Sequence, residues 1–165
     1  MAIKSNVTAD NLSNYLNKVS EILRDEIVRA FSYLGEQAVS KARLPHEGNW
    51  NDITGNLRSS IGYTVYEQGK VQIQSAFDLV KNGTQGQAEG KRIVEELAQR
   101  YTNTYVLIVA AGMNYASLVE ARENRDVLAS AELFANSKLN EYIQKSVERA
   151  FEKADKLKLC EQTKR

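Results

Sequence analysis

The side chains in this sequence that could carry covalent chemistry are few and scattered. His46 is the single histidine and Cys160 the single cysteine. An imidazole beside a thiol makes a nucleophile by taking its proton. Cys160, however, falls near the C-terminal end of the chain, where a helix frays. One His and one Cys are also too few for a zinc site. The run Gly86-Gln87-Ala88-Glu89-Gly90-Lys91-Arg92 superficially resembles a phosphate loop, but three residues separate its glycines. A phosphate loop has four there, and Arg92 stands where Ser or Thr must meet magnesium. Lys91 and Arg92 read better as charges on an exposed helix. Neither Glu95-Glu96 nor Glu120 is placed as one of the paired carboxylates that glycoside cleavage requires. No catalytic residue, cofactor or metal ligand is therefore expected, and the chain is not expected to be an enzyme.

Composition is that of an ordinary globular protein. The chain has 165 residues, 42% hydrophobic and 26% charged. That suffices for one domain over residues 1–165, with 1–7 and 159–165 as flexible ends. Lys and Arg number 22 against 21 Asp and Glu, a net charge of +1. So small a charge gives no general attraction to DNA or to an anionic membrane. No apolar run approaches the roughly 20 residues needed to cross a bilayer. Met1-Ala2-Ile3-Lys4-Ser5-Asn6 lacks the apolar centre of a secretion signal. The triplets at Asn6, Asn11 and Asn82 are then chance matches to a glycosylation site, and a reducing cytoplasm is the expected place of synthesis.

Periodicity supplies the elements that would position any site. Thr8 is a candidate cap, and Asp10 would sit favourably in the first turn of a helix. Leu12, Tyr15, Leu16, Val19, Ile22, Leu23, Ile27, Ala30, Phe31, Leu34 and Ala38 follow at helical spacing. Gly35 interrupts the pattern as a bend or a close contact. Pro45 stops the helix near Arg43 or Leu44. Residues 45–54 read as a loop, and Thr54 as the cap of a short turn through Arg58. Ile61, Tyr63 and Val65 then alternate with smaller or polar residues, as do Val71 and Ile73. Gln68-Gly69 between them has hairpin length. Residues 78–90 read as a flexible loop, with Asn82, Gly83, Gly86 and Gly90 as its mobile positions. A helix follows, carrying Ile93, Val94, Leu97, Ala98 and Tyr101 on one face. Residues 104–111 form an apolar, β-branched run, expected to be the central strand. A short helix at 114–121, a fourth strand at Val127–Ser130 and a closing helix capped by Ser130 or Asn136 complete the order. The fold class is α+β: a small, mainly antiparallel sheet flanked by long N-terminal and C-terminal helices, which cover one face.

Two short segments then stand out: Thr54-Gly55-Asn56-Leu57-Arg58-Ser59-Ser60-Ile61 and Tyr115-Ala116-Ser117-Leu118-Val119-Glu120. With a long helix before the first and another after the second, the chain resembles the tail-completion or tail-terminator proteins at the head–tail junction, or neck, of long-tailed phages. The family's Val-Glu is often followed by an aromatic residue and Gly-Thr, whereas this chain has Ala121-Arg122-Glu123. It also has a longer helical link around 88–101. The resemblance implies a structural virion protein that assembles with itself into a ring, hexameric or, on the head side, twelve-fold. Such a ring completes the tail tube and joins it to a portal-side connector or stopper protein. DNA would pass through the channel only as cargo, and no membrane is involved. A head-side adaptor or stopper of the connector is the alternative, and a small binding module of unknown ligand a further one.

Within this frame Arg58 is either an inter-subunit cation or a solvated arginine. Leu57 and Ile61 read as core anchors. Tyr115 and Glu120 belong to a partner interface or pack within their own subunit. Arg122, Arg125 and Asp126 lie in a charged run that is a solvated connection or an edge fixing subunit register. Trp50 covers the core under the helix end or anchors a neighbour.

Overall fold

The computed structural model describes residues 8–44, 52–102, 104–122 and 126–162. His46, Trp50, Arg125, the Cys160 side chain and the segment 1–7 lie outside this description. The elements run α1 (Ala9–Arg43), α2 (Asn56–Ser59), β1 (Ile61–Glu67), β2 (Lys70–Gln74), α3 (Thr84–Ala98), β3 (Tyr105–Ala111), α4 (Ala116–Glu120) and α5 (Ala129–Gln162). Thr8 caps α1 as expected, its Oγ1 accepting the Asn11 N–H at 3.3 Å. Lys41 and Arg43 lie in the last turn, where cations suit the helix dipole.

The chain forms two compact units. One contains the residues through Ala30 and those from Glu141 onward. In it Ser146, Ala150 and Ala154 are buried at four-residue spacing on α5, and Val19 is buried on α1. The Ser146 hydroxyl contacts the carbonyl oxygen of Glu26 at 3.3 Å. The Glu26 side chain is itself buried, and a buried carboxylate is costly unless paired. Lys153 Nζ meets it at 2.6 Å and Arg29 at 3.2 Å, so charge compensation ties this part of α5 to this part of α1.

The second unit, Phe31–Asn140, holds the sheet. Its order is β2-β1-β3, antiparallel throughout. The apolar run at 105–111 is therefore an edge strand, and the central position belongs to β1, buried at all seven residues. Periodicity cannot separate a buried middle strand from an apolar edge, because both read as apolar runs. Gln68 and Gly69 both have positive φ, 49° and 78°, which closes the β1–β2 hairpin with the right-handed strand twist.

Helices cover both faces of the sheet, not the single face expected. On one face Tyr63 packs on Gly35 of α1, where an added Cβ would lie 2.4 Å from the ring. Its hydroxyl bridges Ser32 Oγ and Glu36 Oε1, each at 2.9 Å. On the other face Phe77, Val94, Ala98, Ile108 and Ala110 form the core with Tyr66. Residues 86–90 are not a loop. Gly86 and Gly90 are buried within α3, while Asn82 and Gly83 make the turn before it. A Cβ on Gly86 would lie 1.9 Å from the Asn56 carbonyl oxygen, and one on Gly90 2.6 Å from that of Ser60. Glycine here allows backbone to approach backbone, which local sequence rules mistake for flexibility. The expected fourth strand is also absent: Val127 and Leu128 form a bend leading into α5.

Two outcomes follow. Gly86→Ala is expected to destabilise the protein by about 1–3 kcal/mol through overpacking, although Ala exceeds Gly in helix propensity. Urea unfolding measures the sign. Burial raises the phenol pKa values of Tyr63 and Tyr66 above the ordinary value near 10. The folded protein thus holds protons that the unfolded chain releases. This contribution is complete below about pH 10 and is lost as pH rises through the folded values. In urea titrations at increasing alkaline pH, Tyr63→Phe should lose stability less steeply than the parent.

Candidate assembly interface

The first segment is organised by a residue just ahead of it. Asp52 is buried and accepts the Gly55 N–H at 3.0 Å and the Arg58 N–H at 3.3 Å. Asp52 and Thr54 together supply the side-chain acceptors at the start of the short helix. Thr54 Oγ1 accepts the N–H of Asn56, the first residue of α2, at 3.3 Å. Asn56 in turn reaches across the fold, where its Oδ1 accepts the Gly86 N–H in the first turn of α3 at 3.1 Å. Leu57 and Ile61 are core residues, 3% and 0% exposed. Arg58 is half-buried.

The second segment performs the same service for α5. The Glu120 carboxylate accepts three successive backbone N–H groups, from Val127 and Leu128 at 2.8 Å and from Ala129 at 3.0 Å. Asp126 Oδ1 accepts the Ser130 N–H at 3.0 Å. The first N–H groups of a helix have no partner inside it, and carboxylates there also suit the dipole. These acids, rather than Ser130 or Asn136, cap the closing helix. Glu120, read from sequence as an interface residue or one serving its own subunit, and Asp126, read as part of a solvated connection or a register edge, make these bonds within the chain. A carboxylate seven to nine residues ahead of the N–H groups it caps lies beyond any local capping pattern. Tyr115 is half-buried. Burial, and then the nearby Asp52 charge, raises its pKa, so the two segments lie within electrostatic reach of each other. Arg122 is exposed.

One open apolar surface could not be located from the sequence. A cavity of about 400 Å³ lies beside β3, lined by Phe31 and Leu34 of α1, by Leu107 and Val109, and by Leu128 and Leu139. The backbone edge next to it is also open. The bonds from Gly112 N–H to Ser60 and from Gln68 N–H to Thr104, both 3.1 Å, set the phase of the antiparallel ladder. Even-numbered residues of β3 bond to β1, so Tyr105, Leu107, Val109 and Ala111 turn their N–H and C=O groups outward. Among the described residues no strand pairs with them. An apolar strand with an open edge is a template for another strand. The opposite edge, β2, is short, carries Lys70 and adjoins a bulge at Val65/Tyr66, features that discourage indiscriminate pairing.

Among the described residues no cluster of His, Cys, Asp and Glu could hold a metal ion, and no helix is long and apolar enough to cross a membrane. No family model, curated protein or solved structure matches the chain.

Glu120→Ala is expected to cost about 1–3 kcal/mol, because three backbone N–H groups, two in the bend before α5 and one at its first residue, lose their acceptor. Glu120→Gln, which keeps one carbonyl oxygen, should fall between this variant and the parent. Thermal and urea unfolding of the three proteins checks the order.

Proposed function

We propose that this chain is a structural, non-enzymatic subunit of the head–tail junction of a long-tailed phage. Copies form a ring that completes the tail tube and meets the head connector. The observation that carries the reading is the open apolar edge of β3 beside an open apolar cavity. A protein that acts alone guards such an edge, because it invites strand addition; a subunit of an assembly uses it. The resemblance of the segments at Thr54–Ile61 and Tyr115–Glu120 supplies the particular assembly. In this reading their polar groups hold the scaffold: Asp52, Asn56 and Glu120 fix helix starts, and the sheet edge presents the contact surface.

The mechanism is association without chemistry. A ring needs a heterologous interface, in which one patch meets a different patch on the next copy and the rotation closes. The sheet has two different edges, as such an interface requires.

Negative-stain microscopy of the purified protein, alone and mixed with tail-tube subunits, tests this. Rings with a central channel, or caps on tube ends, are expected. Monomers beside tubes that grow without limit would overturn the tail-side assignment, and rings bound to portal complexes but not to tubes would move the protein to the head side.

A further inference from the structure

The two open edges of the sheet have opposite charges beside them: Glu132, in the first turn of α5, and Lys70, on β2. Glu132 stands on the wall of the cavity beside β3. Among the described residues no hydrogen bond or ion pair engages its carboxylate. Lys70 opens β2 on the far edge, exposed, and its ammonium likewise has no partner among the described residues. Val71 beside it is 49% exposed. In register Lys70 pairs with Glu67 and Ile73 with Val65, the bulge between them keeping both on one face. Glu67 and Val65 share that face with Tyr105 and Leu107, their partners on β3. This is the face that looks onto the cavity.

We propose that β2 of a second copy of this chain lies along the outer edge of β3 and continues the sheet, with Lys70 of that copy opposite Glu132 and Ile73 at the mouth of the cavity. The inference rests on the ring reading above and names its contact. Within one molecule β2 and β3 both run antiparallel to β1, so they run parallel to each other. A copy related by rotation about a ring axis that runs roughly along the strands therefore offers β2 parallel to β3. The outward groups at Leu107, Val109 and Ala111 gain partners, and a methyl-rich side chain enters an apolar site. The charges complement each other only in this heterologous arrangement. Two β3 edges meeting about a two-fold axis would instead bring two Glu132 carboxylates to one seam, with no cation from the cavity wall to offset them.

A charge exchange on the full-length protein tests the contact. Lys70→Glu and Glu132→Lys each change an exposed side chain, and circular dichroism with urea unfolding should show both variants folded. Each is expected to weaken association in sedimentation velocity, or capping of tube ends, by about tenfold or more. The double variant, with the charges exchanged, should recover most of the loss. Rings that tolerate both single changes, or single losses that the double variant does not repair, overturn the β2–β3 contact and leave the ring reading standing. Absence of assembly by the unaltered protein, alone and with tubes, overturns the ring reading and this contact with it.

Discussion

A strand buried at every residue must be covered on both faces, and this requirement on β1 governs the second unit. Its odd-numbered residues face α1, where Gly35 makes room for the Tyr63 ring. Its even-numbered residues face Phe77 and α3, where Gly62 and Gly90 make room for the Phe77 ring. Covering β1 brings α3 so close that helix backbone meets the backbone of α2 and of Ser60. Only glycine at 86 and 90 permits that approach. Phe77 adopts a positive φ of 52° in this arrangement, and its carbonyl accepts from Gln87 Nε2 at 2.7 Å. A few small residues therefore determine where two helices and an aromatic side chain can sit.

The same fold handles its helix starts with groups brought from elsewhere in the chain. Asn56 serves α3 and Glu120 serves α5, each satisfying N–H groups that would otherwise need water. The residues forming the two recognisable segments are thus joints between elements. Their spacing follows from a mechanical role: each holds a turn that starts a helix or fixes the approach of one.

Covering β1 leaves β3 with an open side. Three strands and their helices enclose the middle of the sheet without sealing both edges, and the apolar character of β3 exceeds what its own unit buries. In the proposed ring this would be the physical link between stability and association. The two edges differ in polarity, in length and in the sign of the charge beside them, and a difference of this kind directs one surface toward another.

The sequence determined what depends on neighbours along the chain. The long first helix ends where Pro45 requires, because proline denies the preceding residue a helical conformation. The hairpin at Gln68-Gly69 and the strands around it follow from alternation and from a turn needing positive φ. Leu57 and Ile61 were legible as core for the same reason. What the tertiary structure decided depends on contacts distant in sequence. Gly86 and Gly90 read as a loop because glycine marks both flexible turns and close helix packing, and only the position of Asn56 and Ser60 distinguishes them. The run at 105–111 read as the central strand because apolar content reports burial without naming the surface that provides it. Val127 and Leu128 read as a strand because the carboxylate that bends them toward α5 comes from Glu120. The open apolar edge of β3 was hidden on the same ground: an edge exists only once the strands have an order, and strand order is a property of the whole fold.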